Sequence, residues 1–347
     1  DSSYVVHEAD QKYRLAIIWY SGIAVLFFSI LVGLNATSVH GYYEQKLERM
    51  WAGDPLKLEK PLELRGLQSV ESGYPYLLIS ASNTEGISGN RGDRFDPVEE
   101  FLFSRQFCGS ERTRFERTDS YMGGGMRLFD AIAISGAAVS GLQLRNPFMI
   151  ALFTVLNFRL GQWIGAPCSA TGRQKDTSPL RAFSPMQLLI DRIRCRLQPK
   201  AAPSYLYAAD GGFFDNTGIF ALLQRRCEII FAVDAGHDPA YNFSDLARLQ
   251  RLARNRLGVD ISSVNSSSGQ IDFGSICTTE NAGYSRSHFT VLKVLYPPDG
   301  DTQDAPSTGH IIFFKSSLTG DESCDIKEQA SVGSDFPHDP TADQFFD

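Results

Sequence analysis

The sequence predicts an α/β domain carried on one N-terminal transmembrane helix, and three observations predict it. Residues 205–236, YLYAADGGFFDNTGIFALLQRRCEIIFAVDAG, read as strand, glycine-rich turn, helix and strand, the pattern of a βαβ crossover. HFTVLKVLY (288–296) and HIIFFKSSL (310–318) read as two more strands around a Pro/Gly/Asp turn. Residues 15–34, LAIIWYSGIAVLFFSILVGL, carry no charge. At about 1.5 Å per residue they would span roughly 30 Å, a bilayer's hydrocarbon core.

Taken in order, 1–14 flank the expected transmembrane helix 15–34, and 35–73 hold an interfacial helix and a linker. Ser38–Gly53 has helical spacing, with Tyr42, Tyr43, Leu47 and Trp51 as its apolar residues. An α/β domain is expected from 74 to 347. Tyr74–Ser82 reads as a strand, and 83–117 as a Gly-, Arg- and Asp-rich loop around the aromatic run EFLFSRQF. After Gly123-Gly124-Gly125 comes the apolar LFDAIAISGAAVSGL. Residues 147–165 fit a helix at an interface or in the core equally well. PMQLLIDRIRCRL is an amphipathic helix. Glu228–Val233, β-branched and continuous, reads as a strand buried on both faces. Ser244–Gly258 reads as a helix capped by Ser244, with Leu246, Leu249 and Leu252 on one face and at least two of its four arginines exposed. The tail beyond Thr319 reads as polar and irregular.

Composition narrows the function. The net charge of −7 argues against nucleic acid as a partner. Six cysteines without a CxxC pair offer neither a zinc site nor a disulfide framework, so the thiols are expected reduced, facing a reducing compartment. The six histidines show no ligand spacing by this reading, so no metal is expected.

Asp210 is expected at the carboxyl end of a strand, where open α/β sheets place their chemistry. Gly211 and Gly212 follow it, and Asn216 stands at a helix start. This segment resembles the Asp-Gly-Gly stretch of patatin-like phospholipases, particularly a membrane-associated bacterial-type branch. GGGMRLFDAIAISGAAVSG, LFTVLNFRLGQWIG, FFKSSLTGDE and DFPHDPTADQFFD resemble the same branch. The resemblance implies a three-layer α/β/α fold, or its C-terminal part, tethered to the membrane in a single pass. It implies hydrolysis of acyl esters of membrane lipids by a Ser–Asp dyad, without cofactor. Asp210 would be the base, Gly211 and Gly212 would bring its carboxylate close, and Asn216 would cap the next helix and buttress the loop.

A dyad also needs a serine at a sharp turn and backbone donors for the oxyanion. The one elbow-like candidate is Ser135, in Ala133-Ile134-Ser135-Gly136-Ala137, where Ala replaces both outer glycines of G-x-S-x-G. Its competing reading is a small-residue helix lining the pocket without touching Asp210. The nucleophile is then expected on a separate chain or segment. The rival to an enzyme is a non-catalytic patatin-like membrane subunit or lipid-binding scaffold. Asp234 reads as a loop-anchoring carboxylate and His237 as a loop histidine.

Overall fold

The computed structural model describes residues 13–52 apart from 15, 24–26 and 28–32; 61–68; 73–83; 98–138; 157–167 apart from 158; 184–198; 203–264; 271–277; 284–298; 307–332; and 335–339. The chain divides into two compact units, Asp1–Phe214 and Asp215–Asp347. Helix and sheet are mixed in both, but the expected crossover does not form. The two strands flanking the Asp-Gly-Gly segment join different sheets.

The first unit is built on a six-stranded sheet ordered β4-β3-β2-β1-β6-β5. Its strands are β1 (Leu78–Asn83), β2 (Glu99–Ser104), β3 (Phe107–Ser110), β4 (Arg114–Arg117), β5 (Gln162–Gly165) and β6 (Tyr205–Asp210), and every pairing is antiparallel. The stretch expected as an aromatic loop is therefore a β-hairpin and more. β2 is buried at all six positions, which removes the alternation that would mark a strand, and its turn to β3 is only Arg105-Gln106. Phe101, Phe103, Leu206, Ile164, Ile79 and Tyr121 fill the core, with Ala131 and Ile134 from α2 (Leu128–Ser135). Residues 162–165, expected to end a helix, form β5; 147–156 lie outside the described residues. The helix Pro185–Leu197, here α3, starts as its sequence suggests. Ser184 accepts from the Gln187 N–H, and the Gln187 side chain accepts from Ser184, a complete capping box.

Among the described residues, no helix is long and apolar enough to cross a membrane, which corrects the single-pass span expected over 15–34. Residues 16–23 and 27 are helical, while 24–26 and 28–32 lie outside the described residues. At the far end Leu34 packs against Leu188 and Tyr205 of the first unit. Asn35 is fastened beside it: its amide donates to the Trp163 carbonyl, and its side-chain oxygen accepts from the Trp163 N–H. A single-pass location is withdrawn with the span.

Helix α1 (His40–Ala52) has the helical form that its spacing predicts. It buries His40, Glu44 and Glu48, spaced four apart, while Tyr42, Met50 and Trp51 are exposed. The face turned inward is polar.

The second unit has a four-stranded sheet ordered β7-β10-β9-β8. It comprises β7 (Ile229–Asp234), β8 (Asp260–Ser263), β9 (Phe289–Tyr296) and β10 (Ser307–Lys315), with β7–β10 parallel and the other pairs antiparallel. Helix α4 (Phe220–Gln224) follows the Asp-Gly-Gly turn, and α5 (Ser244–Leu252) buries Leu246, Leu249 and Leu252 as its spacing predicts. Arg251 and Arg254 are exposed. Ser244 is the first helical residue and not the cap, which falls on Phe243 with φ 50° and no side-chain cap. Asp238 takes over, accepting from the Asn242 and Phe243 N–H groups. Within the tail, Cys324–Val332 forms a helix, α6.

Strand β7 is an edge strand and is not buried on both faces. Ile230 and Ala232 point inward, while Ile229, Phe231 and Val233 are 62%, 68% and 76% exposed. An apolar edge strand of this kind is a template for self-association. Replacing Phe231 and Val233 together by threonine should change stability by about 0.5 kcal/mol per site at most, while concentration-dependent light scattering falls. A loss of several kcal/mol in denaturant unfolding would contradict the exposed placement.

Candidate functional site

Asp210 is the last residue of β6, and its register partner on β1 is Ala81. The chain then turns against β1 more closely than a side chain permits. A Cβ on Gly211 would lie 2.5 Å from the Ser80 carbonyl oxygen, so residue 211 must be glycine. Its N–H donates to the Ser135 carbonyl at 3.1 Å. The turn closes when the Gly212 N–H donates to Asp210 Oδ1 at 2.8 Å, the local turn an Asp-Gly-Gly sequence favours.

Ser135 ends α2 and reaches the same point from the other side. Its hydroxyl donates to the Ser80 carbonyl at 2.6 Å. The structure thus brings Ser135, Gly211, Gly212 and Asp210 together, but through the main chain. Among the described residues no serine hydroxyl donates to Asp210, whose second carboxylate oxygen keeps no protein partner there. Burial pushes the Asp210 carboxyl above the usual carboxylate range, against the Gly212 N–H that draws it down. Tyr43 of α1 donates to the Gly136 carbonyl at 3.4 Å. Burial, then the Asp210 charge, raises its phenol. A half-buried carboxylate with one open oxygen is equipped to accept a proton.

The N-cap position of helix α4 falls on Ile219 and not on Asn216. Asn216 lies in the second unit, where its amide donates to Asp245 Oδ2 at 2.7 Å. The residue that sequence reasoning passed over is Asp215. Its carboxylate accepts from the Thr217 N–H and hydroxyl and from the Phe220 N–H, starting the helix that follows. The D-x-T spacing of an Asx turn could have found it. Asp234 anchors its loop as expected, accepting from Lys315 Nζ and the Gly236 N–H. The His237 ring meets the His338 carbonyl, 101 residues on in the chain.

Two other groups gather possible ligand atoms among the described residues. His288, Asp321 and Glu322 form an exposed group, in which Glu322 accepts from the Thr319 and Gly320 N–H groups as an ordinary loop cap. His40, Glu44 and Asp130 form the other, with ligand atoms within 4.8 Å of one another. Burial, then the Asp130 charge, pushes the Glu44 carboxyl up to about 7, against the pull of Arg127. Burial holds His40 below the usual imidazole range. The signal for this group was present as His40 and Glu44 four apart on one helix, a spacing that places both on one face.

Compared with protein-family models, with curated proteins and with solved structures, the chain matches none.

Gly211→Ala should cost about 1–3 kcal/mol by denaturant unfolding, since the clash is with backbone, and Ser135→Ala about 1 kcal/mol for the lost hydrogen bond. Full stability in Gly211→Ala would mean that the close approach to Ser80 is absent.

Proposed function

We propose that the chain serves the hydrolysis of acyl esters of lipids, with Asp210 as the general base. The observation that carries this is the open oxygen of a half-buried carboxylate, held at a strand end by a turn that only glycine can make. The segments resembling patatin-like phospholipases supply the reaction class. In it a serine hydroxyl attacks the ester carbonyl carbon while Asp210 accepts its proton. The same proton passes to the departing alkoxide, leaving an acyl-serine. Water then attacks that carbonyl, its proton goes to Asp210, and the serine leaves with it. Ser135 is not our choice of nucleophile, because its hydroxyl is already donated to a backbone carbonyl. We assign that role to a serine of another segment or chain that meets Asp210.

The engagement of Ser135 also favours a second reading, a non-catalytic lipid-binding scaffold that keeps the turn without the chemistry. The two separate on one assay of the complete assembly, using a lysophospholipid in mixed micelles. Asp210→Asn should lower hydrolysis by about 10²- to 10⁴-fold, the range for removing a general base, while Ser135→Ala stays within a few-fold of the parent. Loss in both variants, with folding intact, would return the nucleophile to Ser135. No hydrolysis even by the unaltered assembly, with vesicle binding retained, would support the scaffold.

The pH profile gives an independent check. The base must be ionised to work, and burial raises its carboxyl. The acid limb of kcat/KM should therefore have its midpoint above the ordinary carboxylate value of about 4. An acid limb at or below that value would exclude Asp210 as the base.

A further inference from the structure

The inward face of α1 is the least expected feature of the first unit. A helix normally turns its apolar residues to the core; this one buries His40, Glu44 and Glu48 and exposes Tyr42, Met50 and Trp51. Buried charge is retained where it is paired or where it holds an ion. Pairing here is incomplete. Arg127 Nη2 lies 2.5 Å from Glu44 Oε1 and 2.9 Å from Asp130 Oδ1, and its Nε donates to Asp130 Oδ2 at 3.1 Å. Close as it is, the guanidinium is poorly aligned with Glu44, whose Oε1 keeps no hydrogen bond. Arg159 lies over the Tyr207 ring and donates to Asn157. Among the described residues, three carboxyl groups, Glu44, Glu48 and Asp130, thus lie about one guanidinium, an excess of acidic groups over cations.

His40 supplies the second, independent observation. Its side chain is 0% exposed. Nδ1 meets the Leu160 carbonyl, which fixes that nitrogen as the N–H, while Nε2 is buried without a hydrogen-bond partner. An imidazole whose Nδ1–H is anchored on a backbone carbonyl, leaving Nε2 bare, is how proteins orient a metal-ligating histidine. One imidazole nitrogen and one oxygen each from Glu44 and Asp130 lie within 4.8 Å of one another. Bonds of about 2.0–2.2 Å to a shared ion would bring them to roughly 3.4 Å apart, a closure that rotation of side chains can make.

We infer that His40, Glu44 and Asp130 form a binding site for one divalent transition-metal cation of the zinc class. One nitrogen and two carboxylate oxygens suit that class, and a cation there offsets the crowded acidic groups. Arg127 is 39% exposed and turns outward to leave the inner oxygens. The ion ties α1 to α2, the two helices that carry Tyr43 and Ser135 to the Asp210 turn. Its part is to brace that turn. The inference does not rest on the hydrolase reading, because binding is measured without substrate.

The test is calorimetric titration of the chelator-stripped full chain with Zn²⁺, with absorption of Co²⁺ as a second probe. The chain should take up one Zn²⁺ that Glu44→Gln and Asp130→Asn bind at least about 100-fold more weakly, since outer-shell changes alone cost 10- to 100-fold. Zn²⁺ should also raise the Tm of the parent and not of the variants. Without metal, Glu44→Gln should be at least as stable as the parent, because it removes one of the crowded like charges; lost binding is then not lost folding. Glu48→Gln, outside the ligand set, should keep the site. The thiols, among which Cys324 is exposed, could take zinc on their own, and Co²⁺ distinguishes them by a thiolate charge-transfer band. Uptake equal in parent and variants, no uptake, or a cobalt spectrum carrying that band would overturn the assignment.

Discussion

The Ser80 carbonyl oxygen is the point on which the candidate site depends. It accepts the Ser135 hydroxyl from α2, and it stands where a Cβ of residue 211 would be. One backbone atom of β1 therefore fixes both the end of a helix and the exit of the neighbouring strand. The Ser135 carbonyl returns the contact by accepting from the Gly211 N–H. Nothing in this arrangement relies on long side chains, whose rotamer freedom would have to be frozen at each contact. The Asp210 carboxylate inherits that rigidity at the price of one backbone bond from Gly212.

The same geometry explains why the site contains a serine that is not free to react. A hydroxyl spent on a carbonyl has its proton committed. Breaking that bond in favour of Asp210 would leave a half-buried carbonyl unsatisfied, a cost of about 1–3 kcal/mol. Ser135 thus acts as a fastener between α2 and β1. Its small-residue surroundings, Ala131, Ala133 and Ala137, are buried and allow the close approach that the fastening needs.

Legibility of the sequence followed the range of the interactions involved. Elements set by local chemistry were readable: the amphipathic helix α3, the leucine stripe of α5, and the Asp-Gly-Gly turn. Elements set by distant partners were not. β2 reads as loop because both its faces are buried and its pairing with β1 crosses 84–97. β6 and β7 read as one crossover because spacing along the chain carries no information about which sheet a strand joins. The apolar run 15–34 reads as a span because hydropathy cannot register that Leu34 and Asn35 pack against Tyr205 and Trp163. At the site, Asp210, Gly211 and Gly212 were found from their order. The Ser135 bond to Ser80 was not, since it links residues 55 apart.

The polar interior of α1 belongs to the same lesson at a sharper scale. By hydropathy the helix should turn Tyr42 and Trp51 inward, and the exposure of both shows that burial here is decided by charge and not by area. Transferring three carboxylates from water is far more costly than exposing two aromatic rings gains or loses, unless something positive meets them. Arg127 meets two of the three, bidentate on Asp130 and crowded against Glu44. Removing that arginine would leave its partners uncompensated, whereas removing one carboxylate relieves them. The sign of a substitution's effect in this cluster is therefore set by its charge and not by its size, which sets it apart from the apolar core to which α2 contributes Ala131 and Ile134.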